Sequence, residues 1–426
     1  MIRIPIDRFQ LDNGLRVILS HEPANPVVAI NLWYLVGSRN ERPGRTGFAH
    51  LFEHMMFQGS ANVPESMHFA LIEKAGGSLN GSTWLDRTNY FETLPAHYLE
   101  LGLWLESDRM GWLLPAMTQE KLDNQRDVVK NERRWRVDNQ PYGDWDERIQ
   151  AMVYPPDHPY HHSVIGSMED LDAATLEDIE QFFRTYYAPN NAVLTICGDF
   201  DPVAARELVQ RYFGDIPSGP TVPPLPGRTE IEPVLSVGPR QRLEQDVSLP
   251  RAYFAYRIPP YGEPGHFPAA VAAHMLAWGK GSMLYRDLVR TRRLAQDVTA
   301  FAFPVVVGAG TLVVWATARP GVDPETLEAA LLEGIAGLER ADDADVERAV
   351  NLIEARHLTD LQRVDERADL LSMFTALFDE PERLNTELDR IREVTPERVQ
   401  HFANEFLGAD HRATLVYVPR SEGDGK

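Results

Sequence analysis

Cysteine pairs and apolar runs of membrane-spanning length are both missing from these 426 residues. It has one cysteine, Cys197, so no bridge can form within it. That thiol follows the apolar stretch Ala192-Val193-Leu194-Thr195-Ile196, where a buried and inert side chain is expected. No window approaches the roughly 20 apolar residues that a membrane-spanning helix needs. The opening residues, Met1-Ile2-Arg3-Ile4-Pro5-Ile6-Asp7, contain no apolar signal core. A cytoplasmic protein is therefore expected from the sequence as given, or a periplasmic one if a signal was removed. Positive charge is scarce: 42 Lys and Arg against 63 Asp and Glu give a formal net charge of −21. That balance argues against a nucleic-acid partner and favours basic partners over acidic ones.

What is present is the composition of a globular protein, 43% hydrophobic and 9% aromatic. The chain is too long for one ordinary core, which predicts two domains. Residues 217–240 hold Pro217, Pro220, Pro223, Pro224, Pro226, Pro233 and Pro239, a density that forbids a regular helix and reads as a semi-rigid linker. The halves on either side resemble each other. Thr175-Leu176-Glu177-Asp178-Ile179 with Phe182 is answered, 220 residues later, by Thr395-Pro396-Glu397-Arg398-Val399 with Phe402. Each is a capped helix start followed by an apolar strand, Ala192 to Cys197 and Ala413 to Val418. The expected organisation is a domain over 1–216, the linker over 217–240 and a similar domain over 241–426.

Both halves read as α+β. Leu11 to Ser20 predicts two strand segments around an Asn13-Gly14 turn, Val27 to Val36 a buried strand, and Leu79 to Leu94 a strand or hairpin. Helices are expected at about His97 to Met110, Gln119 to Val137 and Leu176 to Tyr186. In the second half, strands are expected over Tyr253 to Ile258 and Gly310 to Ala318. Long helices should follow over Pro324 to Leu338, Asp345 to Ala376 and Pro381 to Arg392.

Chemistry is concentrated in His50-Leu51-Phe52-Glu53-His54. On a helix His50 and His54 lie one turn apart on one face, with Glu53 beside them. Two imidazoles so placed can hold a zinc ion, and the carboxylate can reach a water at that ion. Thr46 is a candidate cap and Gly59-Ser60 a candidate stop. Phe48, Leu51, Phe52, Met55 and Met56 make the helix largely apolar, so it should be buried, and buried polar groups need partners. A metal would supply one; hydrogen-bonded core histidines are the alternative. Zinc sites with an open position usually take three protein ligands. Glu132, in Val128-Val129-Lys130-Asn131-Glu132, is a candidate third, though spacing alone does not separate it from Glu120 or Glu147.

Taken together, His-Leu-Phe-Glu-His and the later Val-Val-Lys-Asn-Glu resemble the pitrilysin/insulinase family of zinc peptidases, the inverzincins, in its half-length branch similar to mitochondrial processing peptidase. The likeness runs through Gly76-Gly77-Ser78-Leu79-Asn80, Asp86-Arg87-Thr88-Asn89-Tyr90, Glu106-Ser107-Asp108-Arg109-Met110 and Gly166-Ser167-Met168-Glu169-Asp170-Leu171. It implies two duplicated domains, each a mostly antiparallel sheet packed with helices. It implies Zn2+ held by His50, His54 and Glu132, with Glu53 as general base in peptide-bond hydrolysis. Asn80 and Gly81 match the family's edge strand, to which peptide substrates add by main-chain hydrogen bonds; an ordinary sheet strand is the alternative.

The chain also departs from the family. Gln125 stands where relatives often carry an acid seven positions before the glutamate ligand. Around His274 the second half lacks the metal motif, so one site per chain is expected. Family members draw an arginine and a tyrosine from the second half; Arg290 matches the arginine, but Gln296 occupies the tyrosine position. The resemblance then implies a dimer in which a related, metal-free subunit supplies the missing pair, with a homodimer as the rival. A non-catalytic structural or peptide-binding subunit of the family is the alternative function. His158, His161 and His162 are expected to be structural rather than a second metal site.

Overall fold

The computed structural model describes residues 3–420. The turn at Asn13-Gly14 joins β1 (Asp7–Gln10) to β2 (Arg16–His21) as an antiparallel pair. With β3 (Val27–Tyr34), β4 (Ser78–Thr83), β5 (Thr88–Pro95) and β6 (Ala192–Gly198) they form a sheet ordered β1-β2-β6-β3-β5-β4. A second sheet contains β7 (Arg240–Gln245), β8 (Arg251–Ile258), β9 (Ala295–Phe303), β10 (Gly310–Ala318) and β11 (Arg412–Pro419), ordered β7-β11-β8-β10-β9. Each sheet has one parallel pair, β2–β6 and β7–β11, and is otherwise antiparallel. The runs β6-β3-β5-β4 and β11-β8-β10-β9 match strand for strand, which is the structural counterpart of the repeated sequence.

The chain forms two compact units, and neither is one continuous stretch. The first comprises the residues up to Arg133, His162–Pro226 and Leu358–Thr386; the second comprises Arg134–His161, Gly227–His357 and the residues from Glu387 onward. A linear division at 216 and 241 therefore describes the order of the repeats, while packing partitions the chain differently. In the first unit α1 (Phe48–Met55), α2 (Met67–Lys74), α3 (Leu99–Trp112) and α4 (Gln119–Arg133) lie N-terminal to the first exchanged segment. The second unit takes α5 (Trp145–Val153), whose Trp145 stacks on Tyr253 of β8 at 5.4 Å between ring centroids. The first unit takes α6 (Val364–Phe378).

These placements explain why β3 reads as a nearly continuous apolar run, broken only by Asn31. Val28, Ile30, Leu32 and Tyr34 enter the main core of the first unit. The alternate residues meet α6, where Asp369 accepts from Trp33 Nε1 at 2.8 Å and from Asn31 Nδ2 at 3.3 Å. A strand buried on both faces shows no alternation. Both repeated helices start as expected: Thr175 accepts from the Asp178 N–H in a capping box, and Thr395 accepts from the Arg398 N–H.

Two helix expectations need correction. Asp345 to Ala376 is not one helix but Asp343–Asp360 followed by α6. Arg363 is extended, with φ −94° and ψ 130°, and the buried Arg367 Nη2 donates to the Leu361 carbonyl at 2.9 Å, satisfying it at the break. No Gly or Pro marks this point, so periodicity could not show it. Pro381 to Arg392 divides into a 3-10 turn, Pro381–Asn385, and a short α-helix, Glu387–Arg392. Among the described residues no helix is long and apolar enough to cross a membrane.

His158 shows how the second unit responds to acid. It is buried, stacks on Tyr154 at 4.8 Å, and its Nδ1 accepts from the Tyr160 N–H at 3.1 Å. Burial, and then the nearby Arg257 charge, lower its pKa from 6.5 to about 4. Between those values the unfolded chain binds a proton that the folded one refuses, so stability falls as pH drops through that window. The urea midpoint should decline more steeply from pH 6.5 to pH 4 in the wild type than in His158→Gln; parallel curves would contradict this.

Candidate metal centre

The helix that carries the histidines cannot cap itself. Its N-cap is Gly47, at φ +84°, and has no side chain to offer. The expected cap, Thr46, is engaged elsewhere: its N–H and hydroxyl both donate to Asp170 Oδ2, at 2.9 and 2.5 Å. Glu41 serves instead, its Oε2 accepting from Gly47 N at 2.9 Å and its Oε1 from Ala49 N at 2.7 Å. This corrects the cap read from the sequence, and nothing local in the sequence identifies a carboxylate six residues upstream. After α1 the chain turns at Gly59, at φ +90°, as expected.

From α1 His50 and His54 face Glu132 of α4. His50 Nε2 lies 3.8 Å from Glu132 Oε2, and His54 Nε2 lies 3.4 Å from the same oxygen. All three ligand-type atoms are within 4.8 Å of one another. Two donors at about 2.0–2.1 Å from a tetrahedral zinc ion stand roughly 3.3 Å apart, so the spacing suits that ion. The side chains are 12%, 22% and 17% exposed, which leaves an approach from solvent. Gln125 Oε1 lies 3.3 Å from His54 Nδ1. A carbonyl oxygen only accepts, so Nδ1 donates to Gln125, which leaves Nε2, facing Glu132, as the ring nitrogen that could bind a metal. Burial lowers the His54 pKa, but the Glu132 hydrogen bond and the Glu53 charge outweigh it, and the net direction is upward.

Glu53 sits between this cluster and β4. Burial raises its pKa, and the Thr83 hydrogen bond followed by the His54 charge only partly offsets that. Gly81 packs directly against it: a Cβ there would lie 3.1 Å from Glu53 Cγ and 3.2 Å from Glu53 Oε1. Asn80 precedes it, exposed, with its own Oδ1 accepting from Gly81 N at 2.9 Å. Because β4 ends the sheet, the residues expected to meet a substrate strand and the residue expected to act as base are neighbours.

Other candidates are not assembled this way. His161 Nδ1 contacts the Tyr154 carbonyl at 2.7 Å and His162 Nδ1 contacts Glu41 at 3.5 Å, so these histidines and His158 go to separate partners. His274 Nδ1 contacts the Ala270 carbonyl within its own helix at 2.8 Å. Arg290 and Gln296 are exposed in the second unit, Gln296 on β9. A second buried group, His68, Glu92 and Glu106, also brings ligand-type atoms within 4.8 Å of one another. Arg109 grips Glu106 through Nε, at 2.9 Å, and through Nη2. Burial, and next the Glu106 charge, push the Glu92 carboxyl well up. A protonated Glu92 beside the Arg109–Glu106 pair makes the group neutral, whereas a divalent cation would leave excess positive charge in a dry interior. That donor set suits a proton, not a metal.

Comparison with known proteins identifies the family. Residues 16–154 match the family model for insulinase (peptidase family M16), and residues 173–353 match that for the peptidase M16 inactive domain. A zinc protease PqqE of Helicobacter pylori is 30% identical over 367 residues, covering 85% of this chain and 78% of that protein. The chain belongs to peptidase family M16. Another relative, the mitochondrial-processing peptidase subunit beta of Blastocladiella emersonii, is 25% identical over 303 residues, covering 68% of this chain and 62% of that one. A crystal structure of a protease from Helicobacter pylori superposes with a TM-score of 0.91 at 25% identity, covering 98% of this chain and all of that one. The expected pitrilysin/insulinase family and the duplicated α+β fold are both borne out.

Proposed function

We propose that the chain is a zinc-dependent endopeptidase acting on peptides or unfolded segments. The convergence of His50, His54 and Glu132, with Glu53 alongside, supports this above all. These three residues would hold zinc, which when bound supplies a Lewis acid that polarises a carbonyl and lowers the pKa of water to about 7. The chain's own residues do the rest. The β4 edge at Asn80 and Gly81 accepts the substrate as an added strand and so aligns its backbone beside Glu53. Glu53 takes a proton from the attacking water and returns it to the departing amine. Main-chain recognition is indifferent to most side chains, which suits broad specificity.

The exposed Gln296 at the family's tyrosine position favours a working dimer, in which a related metal-free subunit supplies an arginine and a tyrosine. A relative named as a subunit of a processing peptidase is in keeping with that. The test is zinc stoichiometry together with cleavage of an unstructured peptide, by the chain alone and mixed with a co-expressed relative. One zinc per chain and chelator-sensitive cleavage, faster with the partner, are expected. A chain that binds no zinc and cleaves nothing in either state would overturn the reading. Equal rates with and without a partner would leave the homodimer.

Gln125 offers a narrower check. It fixes the orientation of His54, so Gln125→Ala should weaken zinc binding about 10- to 100-fold. Competition with a chromophoric chelator measures this, and an unchanged affinity would remove Gln125 from the metal's support.

A further inference from the structure

We propose that Thr83 is a positioning residue that holds Glu53 in one orientation and couples it to the substrate-pairing strand; this rests on the peptidase reading above. The Thr83 hydroxyl donates to Glu53 Oε2 at 2.7 Å. Its other neighbours, the Ala49 carbonyl and Thr88 Oγ1, are at 3.5 Å. Thr88 spends its own hydrogen on the Val36 carbonyl at 2.9 Å, and Glu53 Oε2, at 2.7 Å, is the near acceptor to which the Thr83 hydrogen goes.

A charge-assisted bond of this length is among the strong ones, and a β-branched side chain has little freedom at χ1. The backbone beneath it is also fixed, since Thr83 pairs with Thr88 at the closed end of the β4–β5 hairpin. With Oε2 tied down, Oε1 remains to take the proton. Thr83 lies two residues beyond Gly81, on the same side of an outer strand, and Gly81 itself touches Glu53. A peptide added to β4 is therefore set in register by the same strand that aims the base. A glutamate side chain without this tether has three rotatable bonds, and its carboxylate would populate several directions.

The experiment compares wild type with Thr83→Val, Thr83→Ala and Thr83→Ser in the zinc-loaded protein. For Val and Ala we expect kcat to fall about 10- to 100-fold, with KM within about twofold and zinc content unchanged. Serine, which keeps the hydroxyl, should restore kcat to within a few-fold. Crystal structures of wild type and Thr83→Val read the same point without activity: the Glu53 carboxylate should leave its wild-type position. Wild-type kcat in Val and Ala, or a Glu53 that stays in place, overturns the proposal. If Val does not fold, Ala carries both measurements. A wild type that cleaves nothing would defeat the peptidase reading instead, while the crystal comparison would still decide whether Thr83 holds Glu53.

Discussion

Glu53→Gln should abolish peptide cleavage and leave zinc in place. The amide is nearly isosteric and can still accept from the Thr83 hydroxyl, which now donates to Glu53 Oε2 at 2.7 Å. It cannot take a proton from water at neutral pH. General-base assistance contributes about 10²–10⁴-fold, so kcat should fall by that order. The ligand set His50, His54 and Glu132 is untouched, so metal analysis should give wild-type stoichiometry. The pairing of the two results separates a peptidase from a subunit that keeps a metal only for its fold. Cleavage at wild-type rate in this variant would take Glu53 out of the mechanism. Lost zinc would make it a ligand.

The largest effect on stability is expected at Glu41. Its fully buried carboxyl group accepts from Gly47 N and Ala49 N, and the N-cap residue Gly47 has no side chain of its own to cap the helix that bears the histidines. In Glu41→Ala two buried N–H groups lose their acceptor, and no water replaces it without opening the core. At about 1–3 kcal/mol for each, the loss should be about 2–6 kcal/mol, a large part of an ordinary folding free energy. Glu41→Gln keeps one acceptor oxygen and should lose about half as much. Urea unfolding of the zinc-free proteins measures both. A midpoint for Glu41→Ala within experimental error of wild type would show that α1 begins securely without this carboxylate.

What the sequence disclosed and what it hid follow from the range of the interactions. The His50–His54 spacing is a local property of a helix, and the structure brings the pair to Glu132. Spacing could not choose Glu132 over Glu120 or Glu147, because that choice depends on how α4 crosses α1; the family resemblance chose it. The Asn13-Gly14 hairpin, the β4–β5 hairpin and the Thr175 and Thr395 caps were legible for the same local reason. Glu41 and Thr83 were not: Glu41 reaches a helix start six residues on from outside any capping pattern, Thr83 acts on a group 30 residues away, and neither falls in a recognisable pattern. The break at Leu361 to Arg363 was hidden because both flanking segments are good helices, and only the need to pack against different cores separates them.

The exchanged segments bear on how this protein can be made. The sheet that carries the edge strand β4 is backed by α6, with Asp369 under Trp33 and Ser372 donating to Thr195 at 2.8 Å. During synthesis β1 to β6 leave the ribosome long before α6 does, and until then one face of β3 and β6 has no cover. Folding from the amino end, one finished half at a time, is thus closed to this chain. The nascent first sheet must wait for residues near the far end, and a break at the proline-rich connector would strand both products incomplete.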